Sequence, residues 1–370
     1  MLKQIGPYAL IAILAFLAYG PILVNGAGFS HPDDSAAAQL KCCGFRPLLA
    51  LTYQFNQRFG GWMAVNLGLH ILATWMLFAL AGPIAASIFA VHPMAADAVA
   101  SVSGRSAELF AISVLAGILI YQRARVTGAI LGLFGVLGAM AFQWDYFHTI
   151  LGAPGRWDYM KQTASEIVFS VIPKMVVPVG LTAEPQVSPY GSIIWIIVLA
   201  AWLALIPILL PRYRLAIGLI FLPLAAYLLV PLPNGLYEHR AYLSLAGMAI
   251  LIGLELRRMP RAAFLIVPAF LVMAEARAFV YSSPVHLWED AVRQDPMNGR
   301  AIVNLGSYYA QVGRLYEAEE ETRRAVEVAP DISMGWKNLA YIYVVRGQIG
   351  DASRTLDAFD EYRKSHKMKG

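Results

Sequence analysis

The stretch from His92 to Leu109 reads HPMAADAVASVSGRSAEL. The chain is apolar up to Val91 and apolar again from Leu109, so His92, Pro93, Asp97, Arg105 and Glu108 form a polar island between two hydrophobic runs. Ionisable side chains are costly at membrane depth and tend to mark function. The same residues also read locally as an ordinary aqueous loop, with a helix start at Ser103–Ser106. On both readings the flanking runs are membrane segments.

Composition agrees with that frame. Of 370 residues, 58% are hydrophobic and only 14% are charged, outside the soluble globular range. The net charge of +5 comes largely from arginines in short loops beside apolar runs. That is a marker of topology and not of nucleic-acid binding. The adjacent Cys42 and Cys43 are too close for an unstrained disulfide and too few for a zinc site. They read as small buried residues or reactive thiols. The first apolar run, Tyr8 to Val24, lacks a convincing cleavage site and is kept as a span.

A bilayer crossing needs roughly 20 apolar residues. Working outward from the island, such runs fall near 7–24, 62–81, 107–122, 126–143, 192–210, 215–232, 241–256 and 262–280, with a shorter one at 83–92. About nine spans are expected. Lys3, then Arg123 and Arg125, then Arg212 and Arg214, then Arg257, Arg258 and Arg261 all fall on one side of an alternating topology. By the positive-inside rule that side is the cytoplasm. The N-terminus is then cytoplasmic. Residues 25–61, 92–106, 144–191, 233–240 and everything after 281 lie outside it. Segment 165–181, SEIVFSVIPKMVVPVGL, is interrupted by Pro173 and Lys174. It reads as an interfacial or re-entrant piece, whose broken backbone needs protein or water around it.

Beyond Tyr281 the composition turns charged and helical. Asn304-Leu305-Gly306 recurs as Asn338-Leu339-Ala340, Tyr309 as Tyr343, Gly313 as Gly347 and Ala318 as Ala352, each 34 residues on. That is the tetratricopeptide period. Residues 1–284 are expected to form the membrane domain and 285–370 a repeat domain with units at 301–334 and 335–368. So few repeats need a further surface to pack on. Trp336 and Tyr341 are the expected partner-binding side chains.

Taken in order, several segments carry a resemblance: RPLLALTYQFN (Arg46–Asn56), VNLGLHILATWML (Val65–Leu77), VHPMAADAVASVSGRSAEL, PVGLTAEP (Pro178–Pro185), EHRAYLSLAG (Glu238–Gly247) and LWEDAVRQDPMNGRAIVNLGSYY (Leu287–Tyr309). The chain resembles the bacterial relatives of the transmembrane and tetratricopeptide-repeat-containing protein O-mannosyltransferases. It departs from them at Ala95, where they carry a second histidine, and at Asp97, where they carry glutamate. It also has a shorter first loop. A hairpin that would begin after about Met140 is missing, and FQWDYF (Phe142–Phe147) stands there instead.

The resemblance implies an all-α, GT-C-like fold and transfer of a sugar from a polyprenyl-phosphate donor to a protein or other acceptor outside the cytoplasm. It places Asp33 and Asp34 where those enzymes keep a catalytic acid. The local pattern Pro32-Asp33-Asp34-Ser35 equally makes a turn. His92, Asp97, Arg105, Lys174, Glu184, Glu238, His239 and Arg240 are the candidates for donor and phosphate binding. Guanidinium suits phosphate oxygens, although Arg240 also suits lipid headgroups. The chemistry leaves room for a divalent metal beside the donor, but no metal-ligand set stands out. His70, inside a span, reads as structural, as does His148. No glycine-rich phosphate loop, nucleophile elbow or HExxH motif occurs. The expected partners are membrane lipid, the lipid-linked sugar and a protein docked on the repeats. The expected setting is a bacterial inner membrane. The alternative is a non-catalytic scaffold that keeps the fold and the repeats as a docking surface. The short first loop, the missing hairpin and the pair of repeats favour it.

Overall fold

The computed structural model describes residues 2–25, 47–125, 155–182, 191–229 and 236–366. Asp33, Asp34, Cys42, Cys43, His148, Glu184 and the run expected to span at 126–143 lie outside the described residues. Among those described, every regular element is helical. The chain divides into two compact units that meet in sequence at Ser282 and Ser283.

The first unit begins with α1 (Leu2–Asn25), α2 (Pro47–Phe59), α3 (Trp62–Ala81) and α4 (Pro83–Ala90). The hydrophobic run from 62 to 90 breaks in two because Gly82 takes a positive φ of 85° and Pro83 starts the next helix. Proline suits a first helical position, where its missing N–H would have no partner within the helix. His92 then caps a short turn at Pro93–Ala95, which leads into α5 (Ala96–Ala100). Helix α6 (Arg105–Tyr121) follows. Next come α7 (Arg156–Glu166), a π turn at Ile167–Val171 and α8 (Ile172–Val176). The unit ends with α9 (Ile193–Leu209), α10 (Arg214–Leu229), a 3-10 turn at Glu238–Ala241, α11 (Tyr242–Leu256) and α12 (Pro260–Val280).

Among the described residues, three helices are long and apolar enough to cross a membrane, at Gly6–Leu23, Trp62–Ala81 and Pro260–Val280. Two bent pairs raise the number to as many as five, Pro83–Ala90 with Pro93–Ala100 and Ile193–Ile206 with Pro211–Leu228. The expectation of nine includes the run at 126–143, which lies outside the described residues, and takes the two arms of the bent pair Ile193–Ile206 with Pro211–Leu228 as separate spans. Two expected spans are helices of only 17 and 15 residues, α6 and α11.

The unit packs around a small polar core. Helix α1 lies on α3 and α12, α3 on α6, and α11 on α4 and α10. His70 of α3 donates from Nε2 to the Ala90 carbonyl, 3.3 Å away, and accepts at Nδ1 from the Tyr242 hydroxyl at 2.7 Å. Tyr19 and Phe89 lie against its ring at 5.2 and 5.3 Å. His70 thus has the inward hydrogen bonds expected of a structural histidine.

The second unit comprises α13 (Pro284–Gln294), α14 (Gly299–Gln311), α15 (Leu315–Val328), α16 (Ser333–Val345) and α17 (Ile349–Ser365). The 34-residue offset carries equivalent structure. Leu305 and Leu339, Tyr309 and Tyr343, and Ala318 and Ala352 are all buried. Gly313 and Gly347 both turn the chain at positive φ, 80° and 75°, a conformation that glycine adopts without Cβ strain. Trp336 is half-buried in its own unit. Its Nε1 donates to the Pro330 carbonyl at 2.9 Å, and its ring lies 5.7 Å from Phe359. Tyr341 is 62% exposed.

Candidate functional site

The polar site of the first unit is assembled from segments far apart in sequence. Asp97 stands on α5, and the turn Glu238–Ala241 packs against that helix. One carboxylate oxygen of Asp97, Oδ2, accepts twice from His239, from its backbone N–H and from Nδ1–H, both at 2.8 Å. The same oxygen therefore fixes the turn and the imidazole on it. Tyr237 stacks on that imidazole with ring centres 5.6 Å apart and planes 12° apart. The guanidinium of Arg240 lies 5.3 Å over the Tyr237 ring.

Two further ionisable groups from remote helices join the turn. Arg277, near the end of α12, lies 3.6 Å from Glu238 and 5.0 Å over the ring of Tyr281. Glu166, at the end of α7, accepts the backbone N–H of Leu236 and is attracted by Lys174 and Arg240. Asp97, Glu166, Glu238 and Arg277 are each only 7% exposed. The pocket of charge is thus sheltered, with the His239 side chain at 12% and the half-buried Lys174 and Arg240 nearer to solvent.

Glu166 closes a charged helix outside the candidate spans and opens the π turn. Such turns are frequent at functional sites. Burial drives its pKa from 4.5 up to about 7, against the opposing pull of the Leu236 N–H, Lys174 and Arg240. The folded state therefore binds the proton more tightly than the unfolded one, and stability falls as pH rises from 4.5 to 7. A displacement of this size corresponds to on the order of 3 kcal/mol. Glu166→Gln is accordingly expected to raise the melting temperature at pH 8 and to leave it nearly unchanged at pH 5. Equal melting temperatures of the two proteins at both pH values would count against a buried, proton-holding carboxyl.

Of the residues picked out from the sequence, Asp97, Lys174, Glu238, His239 and Arg240 come together here. His92 lies apart from the open side and is fully buried. Its Nδ1 accepts from the Met94 N–H at 3.2 Å, and its Nε2 donates to the Met175 carbonyl at 3.1 Å. The Tyr19 hydroxyl donates to its backbone carbonyl at 2.6 Å. It ties α1, the island and the segment carrying Lys174 to one another. Arg105 is likewise fully buried. It donates from Nε to Asn66 Oδ1 at 2.8 Å, from Nη1 to the Thr52 carbonyl at 3.3 Å and from Nη2 to the Trp62 carbonyl at 2.9 Å. Among the described residues no group of three His, Cys, Asp or Glu side chains is set to hold a metal ion.

Sequence reasoning passed over Glu166, Arg277 and the flanking Tyr237. The visible signal was that SEIVFSVIPK sets Glu166 eight residues before Lys174. That spacing is two turns of helix once a wider π turn lies between them.

Fold and site together define an all-helical membrane protein with a sheltered ionisable cluster. No family model and no solved structure matches the chain. Over 93 residues it is 36% identical to the protein O-mannosyl-transferase Tmtc1 of Drosophila melanogaster, a match that covers 21% of this chain and 11% of that protein. The chain thus matches about a tenth of that relative's length. The likeness is to a glycosyltransferase, and it is partial.

Proposed function

We propose that this chain is a membrane glycosyltransferase that moves a sugar from a polyprenyl-phosphate donor to a protein or other acceptor outside the cytoplasm. The observation that carries the reading is the gathering of Lys174, Arg240, Glu166 and the Asp97–His239 pair from three separate segments. A phosphoryl leaving group needs cations beside it, and an attacking hydroxyl needs a proton acceptor. Lys174 and Arg240 hold the donor phosphate. Glu166 is the carboxylate they face when no phosphate is bound. Glu238, locked to Arg277, positions the EHR turn, and His92 positions the Lys174 segment. Asp33, Asp34 and Glu184 belong to the same outer side and complete the acidic set, with Asp33 or Asp34 as a candidate base.

In the same reading the protein lies in a bacterial inner membrane with its N-terminus cytoplasmic. The spans number nine, and the cluster faces the periplasm. The second unit is a tetratricopeptide-repeat domain in that compartment, and it presents the acceptor through Trp336 and Tyr341. The partial likeness to Tmtc1 supports the reaction class.

The test is transfer of radiolabelled mannose from polyprenyl-phosphate mannose to protein acceptors by the full chain in liposomes. The Lys174→Gln/Arg240→Gln double variant is expected to lose donor affinity by roughly 10²- to 10⁴-fold, since charge-assisted hydrogen bonds contribute about 1.5–3 kcal/mol each. A wild-type chain that retains the lipid and transfers nothing favours the scaffold. Equal lipid retention by the double variant removes the phosphate site.

A further inference from the structure

His239 has one ring nitrogen committed and one open. Nδ1 donates to Asp97 Oδ2 at 2.8 Å. Nε2 makes no hydrogen bond among the described residues. A carboxylate that accepts from Nδ1–H holds a neutral imidazole in the tautomer whose Nε2 lone pair is free. The ring cannot swing, because the same oxygen also takes the His239 backbone N–H and Tyr237 covers one face. The Asp97 side chain is 9% exposed and the His239 side chain 12%.

The geometry points to His239 as the group that takes the proton from the acceptor hydroxyl, with Asp97 orienting it. This rests on the transferase reading above and names an acting group within it. In the step, the O–H bond of the acceptor breaks and its proton passes to Nε2. The oxygen forms a bond to the anomeric carbon of the sugar. The bond from that carbon to the phosphate oxygen breaks, and its electron pair leaves on the polyprenyl phosphate beside Lys174 and Arg240. The imidazolium returns its proton to water. No electron donor or acceptor is needed.

The charges around the ring come from every neighbouring element. They are Asp97 from α5, Glu238 and Arg240 on its own turn, and Arg277 from α12. Tyr281, just after α12, senses both Asp97 and Glu238. Glu166 and Lys174 reach the group through Arg240, and His92 lies on the neighbouring turn. Asp33 and Asp34 are the competing bases.

The experiment compares wild type, H239N, H239Q, D97N and the D33N/D34N double variant, each as the full chain in liposomes with polyprenyl-phosphate mannose. H239N and H239Q are expected to lose roughly 10²- to 10⁴-fold in kcat, the size of a general-base contribution, with donor KM within about threefold of wild type. D97N should lower kcat with donor KM within about threefold of wild type. A further variant, H239G, should regain part of its activity on addition of free imidazole, which a structural role would not allow. H239N within threefold of wild type in kcat, or a loss confined to donor KM, overturns the inference. So does an H239G protein that free imidazole does not rescue while wild type is active. An active wild type with an inert D33N/D34N protein and an unaffected H239N assigns the base to the first loop. A wild type that transfers nothing fails the transferase reading, which is a different failure.

Discussion

Arg105→Ala should leave little folded protein, with a loss of stability of roughly 3–5 kcal/mol, the usual result of breaking a buried charged network. The guanidinium joins three parts of the first unit. It donates to the Thr52 carbonyl of α2, the Trp62 carbonyl and the Asn66 side chain of α3, and it lies 5.1 and 5.2 Å from the Tyr53 and Trp62 rings. Asn66 in turn donates to the Ser101 carbonyl at 2.8 Å, and Tyr53 to the Val102 carbonyl at 2.9 Å. The loop between α5 and α6 is thus pinned from below. Gly104 is part of the same joint, because a Cβ there would run into the backbone of Ala98. Truncation leaves the fully buried Asn66 oxygen and two partly buried carbonyls without their donor, and each buried polar group left unpaired costs about 1–3 kcal/mol. Arg105→Lys should fail almost as badly. One ammonium cannot reproduce a planar fork that reaches three acceptors. The measurement is thermal unfolding in detergent, beside polyprenyl-phosphate binding per folded molecule. Normal unfolding with lost lipid binding would return Arg105 to the phosphate.

That case shows what the sequence could and could not carry. An arginine between hydrophobic runs is visible as an anomaly. Whether its guanidinium faces a phosphate or three backbone carbonyls depends on where α2 and α3 pack, which no local spacing encodes. The Asp97–His239 contact has the same character, joining residues 142 positions apart. Both residues stood out as polar in apolar surroundings, but their pairing needs the turn at Glu238–Ala241 to meet α5. Glu166 and Arg277 went unnoticed because each is a single ionisable residue at the end of a helix, a place where solvated charges are common. The 34-residue offset was legible for the opposite reason. Each repeat is a local unit, so its buried leucine, tyrosine and alanine recur at a fixed period. The number of spans was less legible, because α6 and α11 are helices of only 17 and 15 residues whose apolar runs read as full crossings.

Arg277→Met alone should destabilise the first unit by roughly 3–5 kcal/mol, and Glu238→Gln/Arg277→Met together should restore most of that loss. Glu238 and Arg277 face each other at 3.6 Å with 7% of each side chain exposed. Removing the cation leaves a buried carboxylate near Tyr281 without the opposite charge that stood 3.6 Å away. Removing both charges together removes that penalty. The remaining amide keeps hydrogen-bonding capacity, and the methionine fills much of the arginine's volume. The pair also has a positional role. It ties the turn carrying His239 to the end of the last candidate span, so the double variant should fold and still carry the imidazole less firmly. In a double-mutant cycle of melting temperatures, the coupling should reach a size typical of residues in contact, about 0.5–3 kcal/mol. Transfer by the folded double variant should fall less than transfer by H239N, because the Asp97 bonds to His239 remain. Strict additivity of the two single substitutions would mean that the two charges hold the turn independently.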